Sequence, residues 1–123
     1  MNESAFFKKC AAIEGAQIGD AVFSDGLAVW AGTREVAHMH ADSLLEVRLT
    51  KAVIRQRRTE LEADTRVTLR KNASDWIEFA VGSRKDEGDA IELVRLAVET
   101  NIATARPGLP PSGPDLARRR RFH

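Results

Sequence analysis

Three stretches of the chain return apolar side chains at the helical period of 3.6 residues, and between them the period drops to two. Asp89 can cap a helix running to about Ala103, in which Ile91, Val94, Ala97, Val98 and Ile102 share a stripe. Thr50 can cap a second through about Ala63, with Val53, Ile54 and Leu61 turned inward and Arg55, Gln56, Arg57 and Arg58 turned to solvent. Ser4 to about Glu14 predicts a third, with Phe6, Phe7, Cys10 and Ile13 as its apolar face and Gly15 as its stop. The alternating stretches predict strands. Val22-Phe23 and Leu27 to Trp30 flank the turn Ser24-Asp25-Gly26, and Glu35 to His40 and Leu45 to Leu49 flank Asp42-Ser43. Val67 to Arg70 and Trp76 to Val81 form a second hairpin around Lys71-Asn72-Ala73-Ser74. The expected class is α+β, an antiparallel sheet of about five strands with helices packed mainly on one face.

Strand parity sorts the side chains into two sets. Leu27, Val29, Ala37, Met39, Leu45, Val47, Leu49, Val67, Leu69, Ile77, Phe79 and Val81 form the face that meets the helices. The complementary set holds Trp30, His38, His40, Glu46, Arg48, Thr68, Trp76 and Glu78, including both tryptophans of the chain. One turn governs where the histidines go. A three-residue loop at Asp42-Ser43-Leu44 sets His40 across from Glu46 and His38 across from Arg48, away from the core. A two-residue loop sets both histidines against the core as buried, neutral, hydrogen-bonded rings.

Composition adds boundaries. With 123 residues, 43% hydrophobic and 30% charged, the chain has room for one modest core. No apolar stretch has spanning length and the first residues do not form a signal peptide, so the expectation is a cytoplasmic protein without a membrane span. Cys10 is the only cysteine, which excludes an intrachain disulfide and paired-cysteine zinc sites; a buried, inert thiol is expected. All four prolines fall between Arg106 and Pro114. Residues 106–123 carry five arginines and one aspartate, so the net charge of +1 leaves about −3 on the remainder. Residues 1–105 are therefore expected as one domain and 106–123 as a disordered, basic, Pro-rich tail. Arg118, Arg119, Arg120 and Arg121, with Phe122 to stack, are candidates for binding nucleic acid or an acidic surface, while the body is not.

The noncore set supplies the candidate chemistry. Histidines at i and i+2 on one strand lie about 6 to 7 Å apart, within reach of one metal ion. With Asp42 they make an incomplete ligand set, since no third or fourth protein ligand is evident. In a ligand site Glu46 would orient or charge His40, Arg48 would hold an anionic group, and Trp30 or Trp76 would stack on a planar one. The tryptophans serve equally as cover under the N-terminal helix, whose Phe6 and Phe7 need partners.

The run Arg34-Glu35-Val36-Ala37-His38-Met39-His40-Ala41-Asp42-Ser43, then Leu45-Glu46-Val47-Arg48-Leu49-Thr50 and Ser74-Asp75-Trp76-Ile77-Glu78, resembles the small bacterial luciferase-domain proteins from about Trp30 to Val98. The resemblance implies an H-x-H segment, a strand, a helix, a strand, a Trp-bearing strand and a final helix. Ala41 and Ser43 stand where that pattern has Pro and Gly around the Asp of the turn. The family name is not an activity: no flavin, nucleotide or other cofactor site is evident, and none is expected. The leading expectation is a noncatalytic module that binds a small ligand or a protein partner on its His/Trp face. The alternatives are a small enzyme or metal-binding protein using His38 and His40, and polyanion binding by the tail.

Overall fold

The hydrophobic pattern resolves into six antiparallel strands and five helices in the computed structural model, which describes residues 2–121 apart from the side chain of Arg121. In chain order these are α1 (Glu3–Cys10), β1 (Ala16–Asp20), β2 (Leu27–Ala31), β3 (Arg34–Ala41), β4 (Leu44–Arg48), α2 (Lys51–Gln56), α3 (Arg58–Ala63), β5 (Val67–Leu69), β6 (Trp76–Ala80), α4 (Arg84–Ile102) and α5 (Pro114–Arg121). The sheet order is β1-β2-β3-β4-β6-β5. The class is α+β as expected, with one strand more. The first strand is β1 rather than Val22-Phe23, because the N–H groups of Val22 and Phe23 are taken by a carboxylate, not by a neighbouring strand.

Helix ends follow local hydrogen bonding. α1 starts one residue earlier than predicted because the Asn2 side chain accepts from Ala5 N–H, and it gives way to tight turns before Gly15. α4 starts at Arg84 because Ser83 Oγ accepts Asp86 N–H while the Asp86 carboxylate accepts Gly82 N–H, a reciprocal cap. Asp89 therefore lies inside α4, where it binds Arg66. Thr50 caps α2 as predicted, but the helix breaks at Arg57 and resumes as α3.

β3 contains two β-bulges. Val29 pairs with Ala37 but Trp30 with Glu35, leaving Val36 as an extra residue. Met39 pairs with Leu45 but Ala41 with Leu44, leaving His40 as another. The loop to β4 is thus the two-residue Asp42-Ser43, with Ser43 at φ 60. The His40 bulge cancels the facing a two-residue loop would impose, so His38 keeps the noncore face and pairs with Glu46 instead of Arg48.

α1 and α4 cover the other face. Phe6, Phe7 and Cys10 pack with Val94, Ala97 and Val98 over Val29, Ala37, Leu45, Val47, Ile77 and Phe79. Burial pushes the Cys10 thiol up to about 12, so it is unreactive at neutral pH. Leu27, assigned to this face by parity, is instead 39% exposed at the strand end.

Residues 106–121 are not the disordered tail predicted from composition. They cross the noncore face, where Leu116 of α5 is buried with Ala21, Val22, Ala28 and Trp30. Thr33 N–H and Oγ1 donate to the Arg106 carbonyl at 3.1 and 3.0 Å, Arg119 donates to the Thr33 carbonyl at 2.7 Å, and Arg120 to the Ala21 carbonyl at 2.7 Å. A compositional rule sees no regular pattern here; the segment is ordered by partners distant in sequence. Gly32 allows the close approach: its φ is +59, and a Cβ there would lie 2.6 Å from the Arg106 carbonyl oxygen. Gly32→Ala is expected to cost about 1–2 kcal/mol from the left-handed backbone alone and to free the arm. Chemical denaturation and limited proteolysis after residue 105 check this; unchanged stability and cleavage would refute it.

Candidate functional site

The bulge at Val36 brings Glu35 onto the noncore face beside His38. Simple alternation would have grouped Glu35 with Ala37 and Met39 against the helices. The Glu35 carboxylate is 3% exposed, and its oxygens accept from Val22 N–H at 3.1 Å and Phe23 N–H at 3.3 Å. This ties the β1–β2 loop over the sheet. Burial, outweighing those two hydrogen bonds and the positive field of Arg120, raises the Glu35 carboxyl to about 7.

His38 is equally enclosed. The Phe23 ring stacks on it at 5.9 Å, the Trp76 ring lies at 5.0 Å, and Phe23 meets Trp76 edge-on at 5.4 Å. Burial lowers its pKa despite the attraction of Glu46, so the ring is neutral near pH 7. Nε2 lies 3.3 Å from Glu46 Oε1 and donates to that carboxylate. Nδ1, which has no hydrogen-bond partner among the described residues, lies 3.9 Å from Glu35 Oε1. Glu46 Oε1 also meets His40 Nδ1 at 2.9 Å, and its Oε2 accepts from Arg70. The four side chains thus form a series, from buried Glu35 through His38 and Glu46 to His40, whose side chain is 58% exposed.

Glu35 borders a cleft of about 270 Å³ between the β1–β2 loop, the start of β3 and the C-terminal arm. Four arginines line it: Arg34, Arg48, Arg106 and Arg119. Arg34 is held by Thr104 Oγ1 at 2.8 Å, Arg48 by Asp75 at 3.3 Å and by the Trp76 ring at 5.9 Å, and Arg119 by Thr33 and the Trp30 ring at 5.8 Å. Arg106 has its backbone fixed by Thr33 and its guanidinium in no ion pair among the described residues. Asn101, fully buried in α4, positions the group from below: its amide donates to the Arg48 carbonyl at 2.8 Å.

The predicted residues divide accordingly. His38, Glu46 and His40 come together, with Arg48 and Trp76 alongside. Trp30 is fully buried, and its cover is α5 and the arm instead of the N-terminal helix. It therefore offers no free face for stacking. His38 and His40 do not form a chelating pair with Asp42; both turn to one Glu46 oxygen, and no metal-holding group of three His, Cys, Asp or Glu occurs among the described residues. Of the tail arginines, Arg119 and Arg120 are engaged by this chain's own carbonyls, and Arg118 lies 3.9 Å from Asp115. The Arg121 side chain and Phe122 lie outside the described residues.

A family model described as the luciferase domain matches residues 33–97. The chain belongs to the luciferase-domain family. No curated protein and no solved structure matches it. The luciferase-domain match begins at the Thr33 clamp and ends in α4, so it includes Glu35, His38, Glu46, Arg48, Arg70 and Trp76. Phe23, Trp30, Arg106 and α5, which close the cleft, lie outside the matched luciferase-domain residues. Sequence reasoning missed Glu35, Phe23, Arg34, Arg70 and Arg106. An acid within β3 was the only local signal for Glu35, and the bulge that turns it to the noncore face has none. Among the described residues no helix is long and apolar enough to cross a membrane.

Proposed function

We propose that this luciferase-domain protein is a binding module for a small, planar organic anion, held in the cleft between the β1–β2 loop and the C-terminal arm. The observation that carries the proposal is four arginines around one buried carboxyl that titrates near neutrality. Arg106, in no ion pair among the described residues, and Arg48, whose guanidinium carbon lies over the Trp76 ring, take the anionic group through charge-assisted hydrogen bonds. Phe23 supplies the apolar wall. Glu35, protonated at slightly acid pH, donates a hydrogen bond to the ligand. As the pH rises it becomes a carboxylate and repels the anion.

Titration with indole-3-carboxylate and its neutral amide, followed by thermal shift and by calorimetry, tests this. The acid should bind and the amide should not, and Arg106→Ala should weaken binding about tenfold, the value of one charge-assisted contact. Equal binding of acid and amide, or an Arg106→Ala variant with unchanged affinity, would refute it.

A second reading makes the same cleft catalytic. It is favoured by the 3.9 Å approach of Glu35 to the bare Nδ1 of His38, in contact through Glu46 with exposed His40. Glu35 would exchange a proton with the bound ligand and His38 would return it toward solvent. Ligand turnover, abolished by Glu35→Gln while binding at pH 6 persists, distinguishes this reading from binding alone.

A further inference from the structure

A separate groove of about 230 Å³ lies between α2 and the β5–β6 turn. Five cationic side chains line it, Lys51, Arg55, Arg58, Arg70 and Lys71, and no carboxylate does among the described residues. Two of them have acidic partners outside the groove: Arg58 with Glu62 at 2.7 Å, and Arg70 with Glu46. The side chains of Lys51, Arg55 and Lys71 are in no ion pair among the described residues. Asp75, the nearest acid in sequence to the groove, is already occupied by the Lys51 backbone N–H at 3.0 Å and by Arg48.

This local excess is not a reflection of overall charge, since the whole chain carries only +1. It arises because Lys51 and Arg55 of α2 and Arg58 at the start of α3 lie along the side where the β5–β6 turn presents Arg70 and Lys71. Like charges gathered this way repel, and an anion of matching charge relieves the repulsion. Ile54 and Leu69 form an apolar backing, which strengthens charge interactions at the groove by excluding water from one side. Ser74 Oγ accepts Trp76 N–H at 3.1 Å, so its O–H is free to donate into the groove.

From this juxtaposition we infer that the groove is a second anion site, specific for a compact polyphosphate group such as the phosphate chain of a nucleoside triphosphate or inorganic polyphosphate. Several phosphoryl groups in series match several cations arranged around a short groove, where a single phosphate would engage only part of the set. Trp76 contributes an edge to the wall; with His38, Phe23 and Arg48 around its ring it is not a platform for stacked bases. That argues for the phosphate chain itself as the recognised element, and against single-stranded nucleic acid.

The test is calorimetric titration of the full chain with inorganic tripolyphosphate, ATP and orthophosphate at two salt concentrations. Tripolyphosphate and ATP should each bind one site per chain with similar affinity, and orthophosphate at least about tenfold more weakly. Arg55→Ala combined with Lys71→Ala, two exposed side chains in no ion pair among the described residues, should weaken both ligands by about tenfold or more and leave the ligand-free unfolding midpoint unchanged. Arg106→Ala should have no effect. Failure of tripolyphosphate to bind, ATP binding without tripolyphosphate, or an undiminished affinity in the double variant would overturn the inference. So would transfer of the loss to Arg118→Ala, or a dT oligonucleotide binding through the same residues more tightly than tripolyphosphate.

Discussion

Replacing Trp30 with alanine is expected to cost about 3–5 kcal/mol, the range for deleting a fully buried large aromatic. The indole is 0% exposed and packs with Val22, Ala28 and Leu116, so its removal opens a cavity beneath α5. The arm should detach as well, because Leu116 loses its main apolar partner and Arg119 the ring it lies over. Equilibrium denaturation measures the loss, and proteolysis within residues 106–121 reports arm release. Trp30→Phe is the informative partner variant. It keeps most of the ring and removes an indole N–H that is buried without a hydrogen-bond partner among the described residues. The phenylalanine form should therefore lose much less, since an unsatisfied buried donor itself costs about 1–3 kcal/mol. A Trp30→Ala variant within 1 kcal/mol of the wild type would show, about that threshold, that the arm and Trp30 do not stabilise each other.

Stability is expected to fall as pH rises through neutrality, and Glu35 is the cause. Unfolded, its carboxyl titrates at its ordinary value of 4.5; folded, it holds its proton to about 7. Below 4.5 both states bind the proton and Glu35 exerts no pH-dependent penalty. Between 4.5 and 7 the unfolded chain binds fewer protons than the folded one, so folding loses about 1.4 kcal/mol per pH unit. Above 7 the loss is complete at about 3 kcal/mol. His38 acts in the opposite sense. Its folded pKa is depressed, so its contribution is present above the ordinary 6.5 and is lost as the pH falls through the lowered value. Glu35 is influenced also by Arg120 and Glu46, and the cleft arginines Arg34, Arg48, Arg106 and Arg119 stand beside it. Denaturation midpoints of wild type and Glu35→Gln between pH 5 and 8.5 isolate the effect. The variant mimics the protonated form and should lack the decline, so the two curves should converge in stability difference at low pH and separate toward high pH. Parallel curves would show that Glu35 is already ionised in the folded chain at pH 5.

Both effects come from the face that sequence reasoning selected, one through Trp30, which it placed there, and one through Glu35, which it did not. Period alone was enough to place α4, the β3–β4 and β5–β6 hairpins and the apolar set of Val29, Ala37, Leu45, Val47, Ile77 and Phe79, because alternation and helical spacing directly record which side is buried. His38, Glu46, Arg48 and Trp76 were likewise legible as a group sharing the opposite face. Glu35 was not, since parity assumes an unbroken strand and the Val36 bulge reverses it. The register at Asp42-Ser43 escaped for the same reason: the His40 bulge restores the facing of a longer loop while keeping the shorter one.

The C-terminal arm marks the other limit. Its composition predicts no element, and only a tertiary surface, Trp30 with the carbonyls of Ala21 and Thr33, gives its apolar and basic residues something to bind. Likewise the groove at α2 draws its charge from two segments that are separate in sequence and adjacent only in the fold. The sequence by itself determined the class of fold, its helix-covered face and the family likeness, since these depend on periodicities and runs within single segments. The tertiary structure decided the cleft, the burial that raises Glu35, and the cation groove, since each depends on desolvation or charge summed over distant residues.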